Sequence, residues 1–355
     1  MVDYVAEHGG DVYSYIENKG LKPLDYSANT NPLGMPENVK KALVENIDNY
    51  GFYPDIHCRK LKQAVSVYED TDPEYFLFGN GAADIIFRLC YALKPKAALL
   101  LAPTFSEYEQ ALLNVECGIE YYNLNKDSNF TVEADILDKI GGKDIVFICN
   151  PNNPTGMLTD KELLVKISEK CLNENCYVVI DECFMDFVRG HREHSFIEYL
   201  EKFENVIILK AFTKIFAMAG LRLGYCLCCN KETVSKIKKA EQPWSVSVPA
   251  QIAGIAALGN RNYLTETVRV IEKEREYLTV NLRKAGFTVF ESHANFILFK
   301  AGVTDLYDRL YKRGILVRKC GNFRGLDDTY YRIAVKCRED NERLLGAVRE
   351  VLDNG

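Results

Sequence analysis

Four short, nearly continuous apolar runs stand out along the chain: Ala97 to Ala102, Ile145 to Cys149, Tyr177 to Asp181 and Val206 to Lys210. Each has strand length, and helix-length amphipathic segments separate them, with the later runs roughly thirty residues apart. Unbroken apolar runs of this kind suit strands covered on both faces, and the spacing suits βαβ units. The pattern therefore predicts an α/β fold with three α/β/α layers around a mainly parallel sheet. After Pro243-Trp244-Ser245 the texture changes. A helical pattern runs from Asn262 to Lys284, followed by strands Phe287 to Phe290 and Asn295 to Phe299, helix Thr304 to Arg313, strands Ile315 to Arg318 and Tyr330 to Val335, and a helix from Glu339 to Leu352. This reads as a smaller α+β C-terminal domain. The expected division is an N-terminal arm over 1–30 that packs on the small domain or a partner, a large domain over 31–245 and a small domain over 246–355. No internal repeat, low-complexity tract or linker interrupts it.

Length and composition narrow the function. At 355 residues the chain can build two or three domains of roughly 150 residues each. A net charge of -6 with scattered Lys and Arg argues against nucleic acid as a partner. No apolar run approaches the ~20 residues that cross a bilayer, and no basic start leads into an apolar stretch, so a cytoplasmic protein without membrane contact is expected. The twelve cysteines fit a reducing compartment, several of them lying inside apolar runs as small core residues. Neither the Cys226-Leu227-Cys228-Cys229 cluster nor the five histidines have zinc-site spacing, so no metal is expected.

The candidate chemistry gathers at the ends of those strands, where open α/β sheets bind ligands. Lys214 lies just past the run Val206 to Lys210, and Arg222 follows eight residues later. Such a pair is commonly a solvated feature of a surface helix. Here small and apolar residues, Ala217, Met218, Ala219 and Gly220, intervene, which a surface would not favour. A lysine whose pKa is lowered forms a Schiff base with an aldehyde, and arginine offers a permanently charged fork for phosphate. Gly79-Asn80-Gly81-Ala82-Ala83 opens a helix whose free backbone N-H groups can receive phosphate; it lacks the third glycine of a dinucleotide site and the Lys-Ser/Thr of a nucleotide loop. Asn150-Pro151-Asn152-Asn153-Pro154-Thr155-Gly156 is either an ordinary turn or a loop that aims the Asn153 amide at a phenolate-type oxygen. Asp181, at a strand end, needs a cationic partner, and a protonated pyridine nitrogen is one. Phe105 is a core residue or a cover for an aromatic ring.

The order glycine loop, Phe105, Asn153, Asp181, Lys214, Arg222 resembles the fold-type-I enzymes dependent on pyridoxal 5′-phosphate, the aspartate aminotransferase superfamily, over nearly the whole chain. The resemblance implies Lys214 as the Schiff-base lysine, Asp181 on the pyridine nitrogen and Asn153 on the ring oxygen. It implies that Gly81, Ala82, Ala83, Thr213 and Arg222 cradle the cofactor phosphate, with Phe105 over the ring. Tyr53 resembles the tyrosine that reaches a neighbouring subunit's phosphate, which implies a homodimer with its active site at the interface. Arg332 resembles the arginine that grips a substrate carboxylate. Two positions depart from the pattern: Ala211 stands where a phosphate-binding Ser or Thr is frequent, and Phe184 where many aminotransferases carry a tyrosine.

Within the superfamily the chain is similar to the histidinol-phosphate aminotransferase and threonine-phosphate decarboxylase group. His8-Gly9-Gly10, the run Asp25 to Gly34, Phe184 and Gln242-Pro243-Trp244-Ser245-Val246 resemble the decarboxylases of cobalamin synthesis. The expected reaction is decarboxylation of L-threonine O-3-phosphate, with transamination of histidinol phosphate by 2-oxoglutarate, or of another amino acid, as the alternative. The substrate phosphate is expected on Arg318 or Arg324 with His8 and Asn31.

Overall fold

The structure, a computed structural model, describes residues 8–353. The first seven residues of the expected arm lie outside the described residues.

The strands, in chain order, are β1 (Leu24–Asp25), β2 (Phe76–Gly79), β3 (Ala97–Ala102), β4 (Gly118–Asn123), β5 (Ile145–Cys149), β6 (Tyr177–Asp181), β7 (Val206–Ala211) and β8 (Gly224–Leu227). In the C-terminal part they are β9 (Thr288–Val289), β10 (Phe296–Lys300), β11 (Ile315–Leu316), β12 (Arg318–Lys319) and β13 (Tyr330–Ala334). A seven-stranded sheet has the order β2-β8-β7-β6-β5-β3-β4, and only β8 runs against its neighbours. Successive residues of the central strands enter two different cores, as the pleat requires. Val146, Ile148, Val178, Ile180 and Ile208 pack on one face with helix Lys161–Asn173. Ile145, Phe147, Cys149, Val179 and Ile207 pack on the other with helix Ala82–Leu93. The three-layer mainly parallel architecture expected from the four apolar runs is the one observed.

Strands β2, β4 and β8 were not among the predicted elements. β4 is an edge strand with an exposed, polar face, and β2 and β8 have four residues each, too few to display a period. A second sheet, β12-β13-β10-β9, is antiparallel throughout and forms the smaller α+β part with the long helix Arg261–Lys284 and the helix Arg338–Asp353. The single strand expected over 315–318 is split: β11 pairs in parallel with β1, while β12 joins β13. The N-terminal segment is thereby stitched to the small sheet, reinforced by Ala334 N donating to Tyr26 O (2.8 Å) and Tyr26 Oη donating to Asn341 Oδ1 (2.8 Å).

Candidate active site

The C-terminal ends of β3, β5, β6 and β7 open into one cavity of about 330 Å³, walled on its far side by β12, β13 and the N-terminal segment. Lys214 projects into it from the one-turn helix Phe212–Ile215, which starts as soon as β7 ends. Asn31 N donates to Lys214 O (3.0 Å), so the turn carrying the lysine is fixed. Burial, then the Arg332 guanidinium, with Arg222 adding to it, pushes the Lys214 amine down to about 8. An amine in this state has a reactive free-base fraction near neutrality.

Asp181 is the last residue of β6 and is buried. Its Oδ1 accepts from Cys183 N (2.9 Å) and its Oδ2 from Tyr108 Oη (2.5 Å). Burial raises its carboxyl above the ordinary value, and the Cys183 thiol, the Tyr108 hydroxyl and the Cys183 N-H oppose that rise. A cation is what such a carboxylate lacks. Arg332, on β13, is also buried; it donates to Asn153 Oδ1 and, at 2.9 Å, to Ser27 O. Its Nε has no hydrogen bond, and no carboxylate among the described residues forms an ion pair with it. Burial lowers its pKa to about 10, which leaves it charged at neutrality and in need of an anion.

At the other end Ala82, Ala83, Thr213 and Arg222 line the cavity, with Ala82 and Ala83 starting the helix Ala82–Leu93. Two glycines make the cradle tight. A Cβ on Gly81, whose φ is +83°, would lie 2.5 Å from Arg222 Nη2, and one on Gly224 would lie 2.4 Å from Ala82 N. Helix N-H groups and a guanidinium at such close quarters suit a phosphate. Ala211 brings only a methyl to the lining, which leaves Thr213 as the nearby hydroxyl. Phe105 and Phe184 give aromatic walls, Phe184 lying edge-on to Phe296 at 5.0 Å between ring centres.

Of the residues expected to hold the substrate, His8 and Arg318 reach the cavity. His8 Nε2 is 3.0 Å from Glu107 Oε1, and Arg318 sits opposite Arg332 in the β12-β13 register, on the same face. Two expectations do not hold in this geometry. Asn31 lies outside the lining, its side chain spent on donating to Ile215 O (2.8 Å) and Thr267 Oγ1 (2.7 Å) and accepting from Leu33 N (3.0 Å). It supports the lysine turn rather than facing a ligand. Arg324 turns away as well, stacking 3.9 Å over the Tyr121 ring with Glu109 3.4 Å from its Nη2. Tyr53 is 80% exposed against Trp244 and does not contribute to this chain's own cavity. Three lining or supporting residues escaped the sequence reading. Tyr108 stands three positions after Phe105, on the same helical side, which could have flagged it. Glu107 is a buried acid at the start of an otherwise ordinary helix, and Ser27 contributes through its backbone, which no side-chain pattern reveals.

A lysine with a depressed pKa, a buried carboxylate, an amide and a phosphate cradle in one cavity fit an aldehyde cofactor with a ring nitrogen and a phosphate. The family model for aminotransferase class I and II matches residues 22–348. The chain belongs to this family. It is a pyridoxal 5′-phosphate-dependent enzyme of the fold-type-I architecture, and the phosphate cradle closed by Gly81 and Gly224 fits that cofactor. Among its relatives, threonine-phosphate decarboxylase of Salmonella typhimurium is 35% identical over 99% of this chain and 98% of its own length. A histidinol-phosphate aminotransferase of Caldanaerobacter subterraneus is 34% identical over 92% of both chains. The crystal structure of the histidinol-phosphate aminotransferase from Clostridium acetobutylicum superposes with a TM-score of 0.88 at 36% identity, covering 94% of this chain and all of that one. No helix among the described residues is long and apolar enough to cross a membrane.

Proposed function

We propose that the enzyme removes the carboxylate of L-threonine O-3-phosphate as carbon dioxide, leaving aminopropanol phosphate. The observation that carries this reading is the pair Arg332 and Arg318, two buried guanidinium groups side by side at one wall of the cavity that holds Lys214. They suit a substrate with two anions, a carboxylate and a phosphate. The 35% identity to the Salmonella typhimurium decarboxylase over 99% of the chain supports it further.

Bound pyridoxal phosphate supplies an aldehyde that condenses with amines and a ring that accepts the electron pair released at Cα. Asp181 would accept a hydrogen bond from the ring nitrogen, Asn153 would donate its amide N-H to the ring oxygen, and Phe105 would cover the ring. Ala82, Ala83, Thr213 and Arg222 hold the phosphate beside Gly81. Arg332 would grip the substrate carboxylate and so orient the substrate at Cα, while Arg318 and His8 would take the substrate phosphate. As carbon dioxide leaves, a proton must take its place at Cα, and Lys214 Nζ is the group that delivers it. The exposed apolar side chains Val44, Ile47, Phe52, Tyr53 and Trp244, the last two in ring contact, support a homodimer in which Tyr53 would reach the partner's phosphate cradle. Twelve cysteines without a disulfide support a reducing, cytoplasmic setting.

A second reading, transamination of histidinol phosphate, has the 36% identical Clostridium acetobutylicum structure in its favour. One experiment separates the two. The holoenzyme is incubated with L-threonine O-3-phosphate while carbon dioxide and aminopropanol phosphate are measured, and in parallel with histidinol phosphate plus 2-oxoglutarate while glutamate is measured. Carbon dioxide only in the first vessel supports decarboxylation; glutamate only in the second overturns it.

A further inference from the structure

Asp181 is held by donors from Cys183 and by the hydroxyl of Tyr108, a side chain to which no role has yet been given. Each carboxylate oxygen offers about two acceptor positions. Cys183 N donates to Oδ1 and Tyr108 Oη to Oδ2, at 2.9 and 2.5 Å, and the Cys183 thiol, a weaker donor, also faces the carboxylate. Tyr108 is fully buried, its ring stacked on Phe147 at 4.9 Å and edge-on to Phe105 at 5.6 Å. It has no room to swing, so its hydroxyl is a fixed donor. The titratable groups facing the carboxylate are Tyr108, Cys149 and Cys183, and no cation is among them.

We propose that Tyr108 is a positioning residue for the cofactor ring: by donating to Asp181 Oδ2 it holds this carboxylate as an anion that accepts from the protonated ring nitrogen instead of taking its proton. The physical reason is a competition. In a dry site a carboxylate becomes more basic, and a buried acid beside a pyridine can relax to two neutral partners by moving one proton. A neutral ring is the weaker electron sink. A hydroxyl donor stabilises the anionic carboxylate more than the acid and shifts the proton back to the ring. The same turn of chain thus brings the ring cover, Phe105, and the donor that tunes the ring's partner.

The inference rests on Asp181 meeting the ring nitrogen, and the test keeps the two apart. Tyr108→Phe retains the packed ring and loses the hydroxyl; circular dichroism of the cofactor-free protein checks its fold. Holoenzymes are prepared with ¹⁵N-labelled pyridoxal phosphate, and the ring-nitrogen shift is followed against pH, together with the cofactor dissociation constant. In Tyr108→Phe the nitrogen is expected to lose its proton at a lower pH than in the wild type, and the cofactor to bind roughly tenfold more weakly, as the loss of one charge-assisted hydrogen bond implies. Fluorinated tyrosine at 108, a stronger donor of the same shape, should move the nitrogen titration the opposite way, which also serves if the phenylalanine variant does not fold. A nitrogen titration unchanged in both variants, with Asp181→Asn losing protonation, would overturn the role of Tyr108 alone. If Asp181→Asn itself leaves nitrogen and affinity unchanged, the assignment of Asp181 fails, and this inference with it.

Discussion

Replacing Lys214 by methionine in the cofactor-free protein should make the fold more stable, although it removes the lysine proposed to carry the cofactor. The lysine amine has an ordinary value of 10.5 and is held at about 8 by burial and by Arg332. The folded protein thus binds this proton less tightly than the unfolded chain. For a depressed group the contribution to stability is present above the unfolded value and lost as pH falls towards the folded one. At pH 7 the full penalty applies, and 2.5 pKa steps at about 1.4 kcal/mol each give about 3–3.5 kcal/mol. Methionine is unbranched, of similar length and uncharged, so it fills the space without that cost. Urea unfolding of both cofactor-free proteins measures the difference. The variant should be more stable by about 3–3.5 kcal/mol at pH 7, with the gap closing as pH rises through the interval from about 8 to 10.5. Equal stability at pH 7, or a gap that ignores pH, would refute the argument that burial and Arg332 depress the Lys214 amine.

Two further changes probe the scaffold around the site. Lys210→Met should destabilise the protein by about 3–5 kcal/mol, because Lys210 Nζ is the buried cation 3.1 Å from Glu69, 3.8 Å from Glu182 and 3.7 Å from Asp186. Thermal melts should show the loss, and it should shrink at lower pH as the stranded carboxylates take up protons. Gly224→Ala should weaken pyridoxal phosphate binding by roughly tenfold or more, since its methyl would lie 2.4 Å from Ala82 N and push the helix start away from Arg222; a cofactor titration followed by absorbance reads this directly.

The central sheet was legible because β5, β6 and β7 are buried on both faces and therefore written as unbroken apolar runs. Lys214, Asp181, Asn153 and Arg222 share one cavity because Asp181 ends such a run, the other three come after one, and strand ends converge on one edge. What escaped has physical causes. An amide gives no sign in sequence of whether it serves a ligand or the backbone, so Asn31 was assigned to a substrate when it anchors the turn of Lys214. Arg324 lies six residues after Arg318, but the chain turns between them and its guanidinium finds the Tyr121 face. Tyr108 was hidden because a buried tyrosine ring belongs to an apolar pattern whatever its hydroxyl does.

The split of one apolar run into β11 and β12 has an architectural consequence. It ties the N-terminal segment bearing His8 and Ser27 to the strands bearing Arg318 and Arg332, while Lys214, Asp181 and Asn153 remain on the edge of the large sheet. The residues proposed to recognise the substrate and those proposed to act on it are thus drawn from separate stretches of polypeptide. A chimera aimed at a new substrate would exchange the segment through Ser27 together with β11–β13, as one matched pair, and leave the catalytic edge untouched.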